Sequence, residues 1–569
     1  MKAFGDCWKA DDTSLYLHRI QTHCHQHPSL KLLHALPHVS EHPTRIRVLE
    51  FRTNGITEVE IDRIRDLEEY WSNLGLRTNS HGDEKQDTET NRPHVKGRLY
   101  LIEDISLPYI SSLGSHFNID PRFFVEYLKF DPDRTQNFLS GYHTMRRLSS
   151  LRSKFHHATF VYHEIRTFEG TAPRREEYEI LTRNNVRRLV TTVDHHTGQF
   201  TGLVRRNLGM WWRNASLKHP HSKEHDDDDS TPWNAVILID PPMTPHLLIK
   251  PWSSTIYTPI SCPNAGYLDG YLDFSPWTHN PLTSTSSFPS STTIPNHGPY
   301  DYASTTAYQT HSMLLDISHY WRQNSTSSSY TSALRNPRAS FLFAHRILAS
   351  HWNLQLEYLV SVVSDLEKGL LKFEQMDAHP RAERIQQEVR QLRLLLSDVN
   401  AWRRRLFFYL EQVEWNVEAV SPCLLPRKSG DTDRQELERD YDVTAAALSD
   451  FTTIRTHLLL TTKRIQSLLP VVMGAFSLLE AQHSVLKADL TIRLSSVALV
   501  FVPLSFTASL LSMSDEFMPG RSLFWVYFVV SGPLILALFW WAFWVQIGRV
   551  ERGVLGWCGG EARGRNKEE

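Results

Sequence analysis

Leu494–Met513 reads LSSVALVFVPLSFTASLLSM, and Leu523–Ile547 reads LFWVYFVVSGPLILALFWWAFWVQI; neither stretch contains a charged residue. A helix rises about 1.5 Å per residue, so about 20 residues cross a hydrocarbon core about 30 Å thick. Backbone groups in lipid must pair within their own segment, so both stretches are expected to be helical. Trp525 and Tyr527 at one end of the second stretch, and Trp540, Trp541 and Trp544 at the other, suit the two membrane interfaces. The loop between them, Ser514–Ser522 (SDEFMPGRS), is only long enough to reverse the chain. The expectation is a two-helix transmembrane hairpin over 494–548, followed by a basic tail over 549–569.

The flanking charges orient the hairpin. Asp515 and Glu516 outweigh Arg521 in the loop, whereas Lys487, Arg493, Arg549, Arg552, Arg563, Arg565 and Lys567 lie on the outer flanks. Positive charge is retained on the cytoplasmic side, so both termini are expected inside and the loop outside. The plasma membrane is the first expectation for its location.

The rest of the 569-residue chain is soluble in character, with 22% charged residues and a mean hydropathy of −0.37. A net charge of −2 gives no general attraction to nucleic acid, and none is expected as a partner. Cys7, Cys24, Cys262, Cys423 and Cys558 are dispersed without a C-x-x-C pair, which fits a reducing compartment.

Residues 1–44 are expected to form a poorly ordered arm rich in histidine. Its run His23-Cys24-His25-Gln26-His27 offers imidazole and thiolate ligands but is too tight to wrap one tetrahedral ion. Residues 45–250 read as an α/β cytoplasmic domain. Arg45–Phe51, Arg98–Glu103, Ala158–Ile165, Val186–Val193 and Ala235–Asp240 are short and β-branched or aromatic, and read as strands. Ser106–Phe117 and Pro121–Phe130 read as helices, the second with Asp120 as N-cap and Pro121 at its first position. Thr78–Lys96 and the Asp/His run His219–Ser230 read as polar insertions, the latter a solvated loop in preference to a cation site.

Residues 251–340 are expected to be a Ser/Thr/Pro-rich disordered insertion, because Pro281–Gly298 has no apolar period. Helix dominates thereafter: a helical region over 341–433, then a stalk helix over 434–493 that shows no stop before the first apolar stretch ends. About eighty residues of helix would extend about 120 Å, with Pro470 and Gly474 placed to bend it. No Walker A, G-x-S-x-G, H-E-x-x-H or Gly-rich dinucleotide turn occurs, so the chain is not read as an enzyme and no cofactor is expected.

Phe501–Ser514 (FVPLSFTASLLSMS), the preceding LLEAQHSVLKADLTIRLSSVAL and the following Glu516…Met518-Pro519 resemble the CorA-type magnesium transporter superfamily, most closely its divergent fungal members, with ZntB a relative. Leu113-Gly114…Phe117-Asn-Ile-Asp-Pro121…Phe123-Phe124 supports the same resemblance. It implies an α/β/α cytoplasmic domain, a long helix entering the first span, a homo-oligomer (a pentamer) and a pore lined by that span. It also implies Mg²⁺ or another divalent cation as the transported ion. The family's Gly-Met-Asn at the outer end of the span corresponds here to Ser512, Met513 and Ser514. Hydroxyls in their place can still bond to an ion's water shell, since Mg²⁺ dehydrates reluctantly. Asp515, Glu516, Met518 and Pro519 form the outer loop beyond it.

The residues add a reading of their own. Ser505, Ser509 and Ser512 share one helix face, and Ala498 and Val502 continue it inward. That face is either a pore lining, with Val502 as an apolar constriction, or a small-residue packing surface. Two functions follow: passive divalent-cation transport, or a non-conducting sensor, scaffold or silent subunit of the same architecture.

Overall fold

The computed structural model describes residues 13–23, 30, 33, 43–79, 94–128, 156–170, 177–181, 185–196, 198–214, 232–251, 256–267, 312–374, 382–421, 432–511, 522, 525–538 and 540. They separate into two units. The first comprises 1–364 and 403–464, and the second 365–402 and 465–569.

The first unit is mixed α/β. Its strands are β1 (Arg45–Arg52), β2 (Gly55–Ile61), β3 (Val95–Glu103), β4 (His157–Glu169), β5 (Glu177–Leu181), β6 (Arg188–His196), β7 (Gln199–Arg213), β8 (Trp233–Ile239), β9 (His246–Pro251) and β10 (Thr258–Ser261). They form one sheet in the order β2-β1-β3-β8-β7-β4-β10-β9-β5-β6. Strand β6 also pairs with β7, so β7-β4-β10-β9-β5-β6 closes into an antiparallel ring. Phe168, Tyr178, Val190, Phe200, Val204 and Ile249 pack together as its core. Between β4 and β10 the ring is joined by one residue pair, Ser261 with Glu169. Only β3 and β8 run parallel among the described strands, and β8 is buried along nearly its whole length, as a strand covered on both faces must be.

Helices α1 (Thr13–His23), α2 (Ile64–Asn79), α3 (Leu107–Phe117) and α4 (Pro121–Leu128) share one core with Ile46, Val48, Tyr100, Ile102, Val236 and Leu238 of the sheet. The alternate residues face the other way. Phe51 meets Trp233, Trp321 and Tyr330 at ring distances of 5.2, 5.1 and 5.7 Å. The last two come from α5 (Met313–Gln323) and α6 (Ser328–Arg335). The period-2 alternation of β1 thus places helices on both faces. Asp120 caps α4 as its position suggests, its Oδ1 accepting from Arg122 N at 3.0 Å.

Beyond a 3₁₀ turn at Pro337–Phe341 come the long helices α7 (Leu342–Glu374), α8 (Ala382–Val420) and α9 (Thr432–Leu511). Helix α9 has 80 residues with Pro470 and Pro503 inside it, the unbroken run expected from the sequence. Within the first unit α7 and α8 meet β4 side-on. Trp352 Nε1 donates to Val161 O (3.0 Å), and the Asn416 amide donates to that carbonyl at 3.1 Å while accepting from Val161 N at 3.5 Å.

Two expectations change. The arm over 1–44 contains α1, whose Tyr16 and Ile20 are buried; the Tyr16 hydroxyl donates to Ile119 O at 3.0 Å. An i, i+4 apolar pair within the histidine-rich composition supplies this anchor; Cys24, His25 and His27 lie outside the described residues. The stretch 251–340 contains β10, α5, α6 and the 3₁₀ turn. Met313, Leu314, Ile317 and Trp321 repeat at helical spacing and are buried. The α/β unit therefore reaches past 250, while Pro281–Gly298 and His219–Ser230 lie outside the described residues.

In a single chain of the second unit, one side of α9 carries exposed apolar residues. Val471, Leu478, Val485 and Ile492 are 46%, 63%, 65% and 54% exposed and recur every seven residues. Gly474, Ala481, Ala488 and Ser495, also exposed, follow each of them by three. Val472 and Leu479 are buried.

The sheet leaves no room for a side chain at Gly97, where a Cβ would lie 1.8 Å from the Trp233 ring. Gly97→Ala is expected to lower stability by about 1–3 kcal/mol, and Trp233→Leu in the same chain to recover part of that loss. Thermal unfolding of the two single variants and the double variant checks the coupling.

Candidate functional site

The first apolar stretch lies at the end of α9. There the buried side is marked by Pro503 and Thr507, with Thr507 1% exposed. The hydroxyl of Tyr527, on α10 (Trp525–Leu538), donates to Leu504 O at 3.2 Å. Ser531, one turn along α10, is 3% exposed. Ala498, Val502, Ser505 and Ser509 are all exposed, and helical geometry puts them on the far side from Pro503 and Thr507. Phe501 and Phe506, 65% and 61% exposed, flank them. The Ser505 hydroxyl turns back onto the Phe501 carbonyl, so its own backbone satisfies it. Ser512, Met513, Ser514, Asp515, Glu516, Met518 and Pro519 lie outside the described residues.

By length and composition, one described helical stretch is long and apolar enough to cross a membrane, and it is Ala445–Val485. Val497–Leu510 and Trp525–Leu538 are shorter apolar helices. The longer stretch includes Asp450, Arg455, Lys463, Arg464 and Glu480; Arg455 pairs with Glu414 at 3.2 Å. The segments without charge are the two shorter ones.

Sequence reasoning missed a buried ionic layer in the first unit. Arg188 grips Asp240 with two bonds of 2.6 Å, and its Nη2 donates to Tyr127 O at 3.1 Å. Asn207 donates its backbone N–H to Asp240 (3.1 Å) and its amide to Tyr127 O (2.7 Å). On β4, Glu164 accepts from Arg166 at 3.1 and 2.6 Å, and Arg206 lies 3.3 Å away. Burial pushes the Glu164 carboxyl up, but Arg206 and Arg166 outweigh it and hold the group down to about 2. Arg166 also donates to the carbonyls of Asn264 and Gly266, tying that turn to the ring. Glu164 and Arg166 are two apart on one strand and so share a face, a signal that was present in ATFVYHEI and its continuation.

Asp104 follows the carboxyl end of β3, beside that of β8, with φ 58, a backbone region few non-glycine residues enter. Its carboxylate accepts from Asn185 N (2.8 Å) and Val186 N (3.1 Å). Burial nevertheless raises the group to about 7, with Glu103 and Asp240 adding to the rise. Each of these carboxylates is engaged by guanidinium or backbone donors, an arrangement that clamps strands and loops together. Among the described residues, no group of three or more His, Cys, Asp or Glu side chains is placed to hold a metal ion. A cleft of about 230 Å³ lies between Phe117, Asn118 and Asp120 on one side and His156, His157 and Trp211–Arg213 on the other.

Asp104 titrates at about 7 in the fold and near 3.8 outside it, so its contribution is fully present below about pH 4 and is lost as pH rises through 7. Asp104→Asn keeps a residue tolerant of positive φ and removes the titration. Its stability relative to wild type should improve by a few kcal/mol, to order of magnitude, between pH 5 and pH 8 in denaturant melts. No family model matches the chain, and no curated protein matches it.

Proposed function

We propose that the chain is a membrane protein of CorA-like design that passes divalent cations, Mg²⁺ or a similar ion, through an oligomeric pore lined by the end of α9. The observation that carries this reading is the run of small residues along α9. Gly474, Ala481, Ala488 and Ser495 continue at the same seven-residue spacing into Val502 and Ser509. A parallel line, Ser477, Ser484, Thr491, Ala498, Ser505 and Ser512, keeps that spacing too. Seven-residue periodicity is the mark of helices winding around one another, here with like helices of other copies. Between Val471 and Ile492 the other faces include Glu480 and Lys487, so a protein partner suits this apolar seam better than lipid does.

In this reading the charge-free segments 494–513 and 523–547 form the membrane hairpin, with both termini in the cytoplasm. Ala498, Val502, Ser505, Ser509 and Ser512 face the axis, and Val502 narrows it. Ser512 and Ser514 meet the ion's water shell at the outer mouth, where Asp515 and Glu516 concentrate cations. The assembly is a homo-oligomer, a pentamer by the family resemblance, and the chain performs no enzymatic reaction.

A second reading keeps the architecture without conduction: a membrane-anchored sensor, scaffold or silent subunit. Serine at 512 and 514 in place of the family's glycine and asparagine favours it, because a hydroxyl reaches less far than an amide carbonyl.

Self-association is checked by light scattering in mild detergent. Wild type should be a multimer, and Leu478→Glu with Val485→Glu should shift it toward monomer; a monomeric wild type overturns the pore. Conduction is checked by Mg²⁺, Zn²⁺ and Ni²⁺ uptake into liposomes. Ser512→Gly with Ser514→Asn should raise uptake, or create it if the natural protein is silent. Silence of both proteins as correct multimers gives the second reading the advantage.

A further inference from the structure

The first half of α7 lies against β4 with three imidazoles in the seam. His345 and His351 come from α7 and His163 from β4; they are 8%, 3% and 6% exposed. The surroundings are aromatic. Phe160 stands 5.2 Å from the His345 ring, Tyr162 4.9 Å from His351, and Tyr409 5.1 Å from His163, ring centre to ring centre. His163 Nδ1 and His351 Nε2 have no hydrogen-bond partner by distance and angle. Each ring also has fixed positive charge near it. Arg205 acts on His163, Arg338 on His345, and Arg166 and Arg206 on His351.

We propose that this seam is an acid-released catch, in which protonation of His163, His345 and His351 frees the first half of α7 from β4. A proton on any of the three rings places a new cation in an apolar layer beside an arginine, a cost that only opening to water relieves. The other facing groups are Gln355 of α7, which favours the charged form of His163, and Glu164 of β4, which favours that of His351. Tyr162, Tyr267 and Tyr409 remain neutral partners. Glu164 is already held by Arg166 and Arg206, so it cannot compensate a third cation.

The pH window follows from the closed-state values. Burial pushes His163 and His345 down to about 3 and His351 to about 4. Released rings titrate near their ordinary value of about 6.5. The closed seam is therefore fully favoured above about pH 6.5 and loses ground as pH falls from there toward 4. With three rings involved, the opening constant rises by as much as about 1000-fold per pH unit once the open rings are protonated.

The test is hydrogen–deuterium exchange on the full chain in detergent between pH 7.5 and 5, corrected for the intrinsic pH dependence of exchange. Peptides covering 342–357 should open more than about 100-fold more per unit between pH 6 and pH 5, the linkage of at least two protons. Peptides over Trp233–Ile239, which lack a titratable side chain, should show no such step. His345→Gln and His351→Gln should each reduce the slope by about one proton, tenfold per unit. A wild-type slope below two protons overturns the proposal without reference to any variant. So does an unchanged slope in folded variants, or an equal step in the 233–239 peptides, which would mark general acid unfolding.

Discussion

Strand β4 pairs with β7 along its length and with β10 at one residue, and among the described residues no strand covers the rest of its second edge. An unpaired strand edge must be covered or it seeks another strand. Here the carboxamide of Asn416 acts as a one-residue substitute for a strand, donating to and accepting from Val161, and the Trp352 indole adds a second donor to the same carbonyl. The same strand carries Glu164 and Arg166 on one side and lies in the antiparallel ring beside β7, the strand that joins the ring to the rest of the sheet. Helices and ring thus meet on one strand, and at Val161 side chains satisfy the backbone groups that a strand would otherwise pair.

Much of this was legible in the chain. Five strands rich in β-branched and aromatic residues, the Asp120-Pro121 helix start and the uninterrupted α9 follow from local patterns that agree with their tertiary use. The unread strands have identifiable reasons. Strand β7 contains Gly202 and Gly209 with Arg205 and Arg206, residues that ordinarily weaken a strand reading; yet at Gly202 a Cβ would lie 2.5 Å from Val190. Strand β2 follows a two-residue turn at Thr53-Asn54 and opens on Gly55, and the Asn-Gly hairpin signal there was obscured by its glutamates. Helices α5 and α6 were hidden by the Ser/Thr-rich composition around them.

The candidate site divides in the same way. A hydroxyl face on the first apolar stretch can be read from spacing alone, because helical periodicity is local. The ionic layer cannot, since Arg188 and Asp240 are far apart in sequence and only the sheet order brings them together. Charges on strands read as solvent-facing until the covering helices are placed.

The seven-residue interval along α9 has a consequence for handedness. A straight helix of 3.6 residues per turn drifts by about 20° per heptad relative to such a line. Over the five intervals from Gly474 to Ser509 the drift amounts to about 100°, enough to carry Ser509 away from any axis that Gly474 faces. Copies that keep the line inward must therefore coil leftward around one another. In the proposed oligomer a sideways slide of one helix would bring rotation with it, so a movement that widened the bundle would also unwind it and turn Val502 as it retreated.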